Sequence, residues 1–224
     1  MFCWVSTHPP NHKTKAAAVR DTWGRRCDRI LFVSNEEDPD LPAISVEAKS
    51  DYHGLWAKTK AAFRHIHERH LEEADWFLKA DDDTFVVMEN LRSFLAQHDA
   101  EDPLQFGCKL KQNVREGYMS GGAGYVLSKE ALRMFVRKGL TNGTLCNLDD
   151  STVEGEDVEM GRCLRRLNVS AADSRDGLGR GRFFPYQPEK HLHPGKEDAG
   201  VAWFRDTVWW NYTQVRRGRI LSLG

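Results

Sequence analysis

The sequence has little of several features that would assign it at once to a functional class. Its 224 residues contain no apolar run near the 18 or more that a membrane-spanning helix needs, and the opening MFCWVSTHPP lacks the basic and apolar regions of a signal peptide. Lys plus Arg number 32 and Asp plus Glu 33, so the formal net charge of -1 attracts neither nucleic acid nor anionic lipid. We therefore expect a soluble chain with no nucleic-acid partner that captures any anionic ligand locally.

Several common catalytic and metal-binding motifs are also missing. Five cysteines are too few for a disulfide scaffold, and none forms a CxxC pair typical of zinc sites. The histidines at 65, 67 and 70 lack HExxH spacing, and no GxSxG, GxGxxG or GxxxxGK[ST] sequence occurs. These absences exclude the commonest zinc, serine-hydrolase, dinucleotide and phosphate-loop sites.

What is present is an alternation of strand-like and helix-like segments. With 40% hydrophobic and 29% charged residues the composition is that of a globular protein. The predicted strands are Phe2–Ser6, Ile30–Ser34, Ile44–Glu47, Trp76–Ala80, Leu104–Gly107 and Tyr118–Leu127. The predicted helices are 12–24, 55–73, 88–98, 128–138 and 156–167, the second with the lysines at 58 and 60 off its apolar stripe. This pattern predicts one α/β domain with a mostly parallel sheet and an irregular carboxyl-terminal third.

The sharpest chemical feature is the segment WFLKADDDTFVV. A buried-looking strand runs directly into Asp81, Asp82 and Asp83, at the strand end where open α/β sheets bind ligands. A hard divalent cation would explain three adjacent carboxylates that otherwise repel one another. Alternation along an extended segment places Asp81 and Asp83 on one side and Asp82 on the other. The alternative is a solvated acidic turn that precedes the next helix.

Two further segments are candidates for binding and catalysis. Gly121, Gly122 and Gly124 lie in YMSGGAGYVLS, where they would let the backbone approach a ligand closely or would simply form a bulge or tight turn. In EGEDVEM, Glu156 or Asp157 could act as a base towards an acceptor hydroxyl, although acids at a helix amino terminus usually only complement the helix dipole.

Taken in order, RDTW, LWAKT, KADDDTFV, GYMSGGAGYVLS and EDVEMGRC resemble the motifs of one family. It is the family of inverting β1,3-glycosyltransferases that includes the β1,3-galactosyltransferases and the Fringe enzymes. The resemblance extends from about residue 2 to residue 193. It implies a GT-A fold, with Rossmann-like residues 1–127 as a nucleotide-sugar half and residues 128–224 as an acceptor half of one catalytic domain.

The resemblance also implies the reaction and the partners. Galactose would pass from UDP-galactose to O-linked N-acetylgalactosamine on a glycoprotein, with Mn²⁺ as cofactor. The protein would be the luminal domain of a Golgi type II membrane protein whose anchor is absent here, with a family chaperone and a homodimer as further possible partners. Three N-x-S/T sequons, at Asn142, Asn168 and Asn211, also favour a secretory compartment.

The family's site residues transfer to this sequence position by position. Asp83 resembles the direct metal ligand, Asp81 and Asp82 resemble partners of the metal and nucleotide, and Asp157 resembles the general base. The residues implied to line the donor are Arg20, Trp56, Lys58, Gly121 and Gly122. The looser match of WFRDTVWWNY implies acceptor binding by Trp209, Trp210 and Tyr212, for which core packing is the alternative.

The sequence departs from the family at its carboxyl end. Family members continue into a paired-cysteine segment and a Phe-His-Tyr stretch whose histidine binds the metal, whereas QVRRGRILSLG matches neither. His191 and His193 correspond to an earlier histidine pair. We therefore expect a truncated chain with little transfer activity. Against this family background, Cys3 is expected to pair with Cys27 and Cys146 with Cys163, leaving Cys108 over.

Two other functions compete with the galactosyltransferase hypothesis. A non-catalytic relative could act as a chaperone or sugar-binding module, although such a protein has no evident need for an acidic triad together with a base. A Fringe-like enzyme would instead transfer N-acetylglucosamine.

Overall fold

The computed structural model describes residues 1–48, 54–192 and 199–210. Within them, seven strands form one sheet in the order β3-β2-β1-β4-β8-β5-β9, and β6 pairs with β7 in a separate ladder. The strands are β1 Phe2–Ser6, β2 Arg29–Ser34, β3 Ala43–Ser45, β4 Trp76–Asp81, β5 Leu104–Gly107, β6 Lys109–Leu110, β7 Tyr118–Met119, β8 Tyr125–Ser128 and β9 Ser170–Ala171. Only β8 runs against its neighbours in the seven-stranded sheet. The predicted mostly parallel α/β architecture is confirmed and is consistent with a GT-A-like fold.

The helices cover both faces of the sheet. They are α1 Ala17–Asp21, α2 Leu55–His70, α3 Met88–Leu95, α4 Lys129–Met134, α5 Glu156–Arg166, α6 Pro188–Leu192 and α7 Ala199–Thr207. One apolar cluster joins Trp4 to Phe63 on α2, and another joins Leu78 to Phe94 on α3. Because both faces are covered, the central strands are continuous apolar runs. Within the described ranges no helix is long and apolar enough to cross a membrane.

Two predicted elements are divided in the structure. The strand expected over Tyr118–Leu127 is β7 and β8 with a glycine turn between them, where Gly124 has a φ of +71° that other residues rarely adopt. The helix expected over 12–24 is a π-helical turn, then the short α1, then a 3-10 turn from Trp23 to Arg26. The break at Thr22 lets the Trp23 indole donate to the backbone oxygen of Thr84 at 2.9 Å.

The two lysines expected to lie off the apolar stripe of α2 are buried. Lys58 Nζ donates to Thr7 O at 2.8 Å, and Lys60 Nζ pairs with Asp150 Oδ1 at 2.7 Å. A lysine can be buried when its ammonium finds acceptors, and hydrophobic periodicity cannot predict partners that are distant in sequence.

Both expected disulfides are confirmed. Cys3 bonds Cys27 and Cys146 bonds Cys163, while Cys108 is buried and forms no disulfide within the described ranges. The first bond ties β1 to the segment that leads into β2, and the second ties α5 to the loop before it.

Candidate active site

The candidate site lies where the order of the sheet reverses. From β1 the chain continues outward through β2 and β3, whereas β4 lies on the opposite side of β1. In the parallel pair of β1 and β4, Ser6 is opposite Asp81, so both strands end at one edge. A crevice at such a switch point is the usual ligand site of an open α/β sheet.

The three consecutive aspartates at the end of β4, Asp81 to Asp83, form an acidic turn and lie in different environments. Asp81 Oδ1 accepts a bond of 2.7 Å from Lys79 Nζ, and Asp83, whose side chain is 66% exposed, pairs with Lys15. Asp82 is buried instead, and its Oδ2 accepts bonds from Thr7 Oγ1 at 2.7 Å and from Asn11 at 2.8 Å. Asp82 therefore ties the turn to the segment after β1, while Asp81 and Asp83 have the more accessible carboxylates.

The carboxylates of Asp81 and Asp83 fit a hard divalent cation that is also bound by a diphosphate. Carboxylate oxygens are suitable ligands, and such ions commonly take one or two carboxylates together with water and phosphate oxygens. Within the described ranges no three His, Cys, Asp or Glu side chains form a group that would hold an ion alone. Asp81 and Asp83 fit such an ion as two carboxylate ligands, with water and phosphate oxygens as the others.

Asp157 meets the glycine turn at the amino terminus of α5. Its Oδ2 accepts a bond of 2.9 Å from the backbone N–H of Gly121. The space at Gly121 is tight, because a Cβ there would lie 3.0 Å from Glu156 Oε2 and 3.4 Å from Asp157 Cβ. A Cβ on Gly122 would meet only Pro185 O, at 3.8 Å, so the backbone at Gly122 is open to an approaching ligand. Burial raises the pKa of Asp157.

Glu156, the other acid considered as the base, is a buried structural group. Its Oε1 accepts bonds from Tyr125 Oη at 2.7 Å and Thr59 Oγ1 at 3.0 Å. Burial raises the pKa of Glu156, and burial beside Glu156 raises that of Tyr125. Glu156 is 5% exposed, whereas Asp157 is only partly buried, so Asp157 is the more accessible of the two acids.

Lys79 joins the acidic turn to the glycine turn, a role that the sequence analysis did not assign. Its buried Nζ donates to Asp81 Oδ1 at 2.7 Å and to Gly121 O at 3.2 Å. Burial lowers the pKa of Lys79, but the charges of Asp81 and Glu156 outweigh burial and the net pKa is raised. A lysine in the apolar strand WFLKA was the signal that could have identified it, since a buried charge needs partners.

The residues expected to line the donor are not all at the crevice. Lys58 holds the ends of β1 and β2 together through Thr7 O and, at 3.2 Å, Asn35 Oδ1, and desolvation lowers its pKa. Arg20 lies at the loop after β2, bonded to Asp21 and to Asp40 O.

Trp56 was expected to contact the donor, but the structure buries it. Its side chain has 0% exposure, and its indole N–H donates to Asn147 O at 2.8 Å. Since the ring has no accessible face, Trp56 can influence a ligand only through the packing of α2.

Trp209, one of the aromatic residues expected at the acceptor, lies beside a different part of α5. Trp209 lines a cavity of about 230 Å³ with Gly161 and Arg165, residues further along the helix than Asp157. Lys109 Nζ lies 4.3 Å from the ring centre of Trp209 and 5.4 Å from that of Trp210. Tyr212 and His193 lie outside the described residues.

Comparisons with known proteins place the chain in a family. The Fringe-like family model matches residues 1–176, which include both the acidic turn and Asp157. Glycoprotein-N-acetylgalactosamine 3-beta-galactosyltransferase 1 of Xenopus laevis is 43% identical over 212 residues, which cover 95% of this chain and 56% of that protein.

The chain is also similar, at lower identity, to two other glycan-related proteins by name. Chondroitin sulfate synthase 3 of Homo sapiens is 29% identical over 185 residues, covering 75% of this chain and 20% of that protein. Beta-1,3-glucosyltransferase of Mus musculus is 25% identical over 177 residues, covering 78% and 35% respectively. The chain therefore spans between about a fifth and little more than half of the length of these relatives.

Proposed function

The chain belongs to the Fringe-like family, and from that premise we propose that it is the catalytic region of an inverting β1,3-galactosyltransferase. Its donor would be UDP-galactose and its acceptor an N-acetylgalactosamine linked to Ser or Thr of a glycoprotein. The observation that carries the proposal is the convergence of three segments at the end of β4. Lys79 contacts both Asp81 and Gly121, and Gly121 in turn contacts Asp157.

We assign the donor side to the crevice at the ends of β1 and β4. Asp81 and Asp83 would hold Mn²⁺, whose charge offsets that of the departing diphosphate. Asp82 fixes the acidic turn through Thr7, and Lys58 fixes the adjacent strand ends. The open backbone at Gly122 is suited to close contact with the donor.

We assign proton transfer to Asp157. The acceptor's 3-hydroxyl oxygen forms a bond to the anomeric carbon of galactose while the bond from that carbon to UDP breaks. Asp157 takes the hydroxyl proton as the bond forms. A single displacement from the opposite face inverts the anomeric configuration, so no enzyme nucleophile is required.

The raised pKa of Asp157 suits this role. A general base works best when its pKa approaches the working pH, and burial moves the Asp157 pKa upward in that direction. The hydrogen bond from Gly121 orients the carboxylate and accompanies a second from Val158 N at 2.9 Å.

The name of the Xenopus relative favours galactose as the donor sugar and N-acetylgalactosamine as the acceptor. By the same kinship we place the protein in the Golgi lumen, as part of a membrane-anchored enzyme. A family chaperone and a homodimer stay proposals, as does the division into residues 1–127 and 128–224.

A transfer assay tests the proposal directly. The chain would be incubated with UDP-galactose or UDP-N-acetylglucosamine and a GalNAc-bearing peptide, with Mn²⁺ or with a chelator. We expect a β1,3-linked galactosyl product, at the low rate expected of this chain, only with UDP-galactose and Mn²⁺. Transfer of N-acetylglucosamine would favour the Fringe-like alternative, and peptide binding without any transfer would favour a sugar-binding module.

A further inference from the structure

The cavity beside α5 contains polar groups that the proposed reaction does not use. Besides Trp209 and Arg165, its lining includes Gln105 on β5, Lys109 on β6 and Glu116. Asp157, Gly161 and Arg165 are spaced four residues apart on α5, so Arg165 lies about 12 Å further along the helix than Asp157. The cavity is therefore a compartment separate from the candidate catalytic centre.

Gln105 lines this cavity, and its amide nitrogen is an unsatisfied hydrogen-bond donor among the described residues. The residue is 2% exposed, and its Nε2 is buried and has no hydrogen-bond partner among the described residues. Leaving an amide donor buried and unsatisfied is unfavourable by about 1–3 kcal/mol. An acceptor atom of a ligand in the cavity would remove that penalty.

Lys109 brings a buried ammonium group to the cavity; burial lowers its pKa, and the charges of Glu116 and Asp173 partly offset that effect. It is 8% exposed, and its Nζ donates to Ala171 O at 3.3 Å and lies above the Trp209 ring. Within the described ranges no acidic side chain forms an ion pair with Lys109, whereas Glu116 contacts Arg165 at 3.9 Å. Two cations and one anion give the lining a net charge of +1. Buried ammonium groups are normally paired, so the cavity favours an anion.

The volume of the cavity and the Trp209 ring in its wall indicate which kind of anion fits. A volume of about 230 Å³ is below that of pockets for drug-sized ligands and suits one small ring. The indole of Trp209 offers a flat apolar surface for the C–H face of a pyranose. We propose that this cavity binds an acidic sugar residue, whose carboxylate accepts hydrogen bonds from Gln105 and Lys109 while its ring packs on Trp209. The site goes beyond the proposed transferase activity and does not depend on it.

A matched pair of ligands tests this proposal on the unmodified chain. Methyl glucuronide and methyl glucoside differ only in the carboxylate at C6, and both would be titrated by calorimetry with and without saturating UDP. We expect the glucuronide to bind at least ten times more tightly than the glucoside, with no effect of UDP. Equal affinity, absence of glucuronide binding, or displacement by UDP would overturn the proposal. Acetate binding as tight as glucuronide binding would overturn the sugar assignment.

Two variants and a control locate the binding. We expect Gln105→Met and Lys109→Met each to weaken glucuronide binding at least tenfold. Lys111→Met, at an exposed lysine two residues further on, should leave the affinity unchanged. Thermal unfolding would establish that each variant is folded. If folded Lys109→Met and Lys111→Met weaken binding equally, the cavity is not the site.

Discussion

The backbone N–H of Gly121 donates a hydrogen bond of 2.9 Å to Oδ2 of Asp157, and Gly121 O accepts one of 3.2 Å from Lys79 Nζ. One residue of the glycine turn thus contacts both the candidate base and the lysine that holds Asp81. The acidic turn and α5 are far apart in sequence, and this turn joins them into one site.

Asp157→Asn should lower galactosyl transfer by a factor on the order of 10² to 10⁴ and leave UDP affinity nearly unchanged, because it removes the proton acceptor alone. Initial rates and calorimetric titration with UDP measure the two effects. Glu154→Gln, at an exposed acid bonded to Arg162, is the matched control and should retain full activity. An equal loss of UDP affinity in Asp157→Asn would assign Asp157 to the donor site instead.

Asp83→Ala should abolish Mn²⁺-dependent UDP binding, since the described protein ligands are few and a lost carboxylate leaves too few to hold the ion. Titration of UDP with and without Mn²⁺ is the measurement. Glu89→Gln serves as the control, because Glu89 is an exposed acid on α3 that pairs with Arg26. Unchanged affinity in Asp83→Ala would remove that carboxylate from the metal site.

Gly121→Ala should reduce kcat and leave the protein folded. The new methyl group would lie 3.0 Å from Glu156 Oε2, so the Glu156 carboxylate or the turn must shift by a few tenths of an ångström, and we expect the bond from Gly121 to Asp157 to lengthen. Gly177→Ala is the control, since no atom lies within 4 Å of the Cβ it would add. Steady-state kinetics and urea unfolding separate the two effects, and a kcat equal to that of the unmodified chain would show that the turn does not position Asp157.

Asp157 should also make the stability of the fold depend on pH. Burial raises the pKa of Asp157 in the folded protein, so the ionised carboxylate is disfavoured there. The stability that the protonated carboxyl contributes to the fold is therefore lost as pH rises through the folded pKa. Asp157→Asn does not ionise. Its free energy of unfolding relative to that of the unmodified chain should therefore increase as pH rises from below the ordinary value of 3.8 to neutrality. Urea unfolding at several pH values measures this difference, and a constant difference would contradict the expectation.

Replacing Cys146 and Cys163 together by serine should lower the free energy of unfolding by about 2–4 kcal/mol. The bond closes a short loop, with a sequence separation of 17, and restricts the unfolded chain. Unfolding of the oxidised chain, of the reduced chain and of the double variant would be compared. Equal stability of the oxidised chain and the double variant would contradict a stabilising role of the bond between Cys146 and Cys163.

The sequence alone determined the class of the fold and the position of its chemistry along the chain. Alternating apolar segments predicted the parallel sheet because buried central strands must be continuously apolar, and the acidic run at the end of β4 marked the edge at which we propose that the donor binds. The expectation that Asp82 faces away from Asp81 and Asp83 follows from the two-residue period of extended backbone. In the structure Asp82 is bonded to Thr7, but Asp82 and Asp83 lie in a turn closed by the bond from Thr84 N to Asp81 O, so the turn and not an extended backbone gives them different environments.

Only the tertiary structure decided which residues meet. Lys79 contacts Gly121 across 42 positions, and Trp56 is buried against Asn147 across 91. The cavity with Gln105 and Lys109 likewise gathers residues from β5, β6, α5 and the segment after α7. Local periodicity reports which face of an element is apolar. Hydrogen-bond partners, burial of single charges and cavities depend instead on how distant elements pack, and no local pattern encodes them.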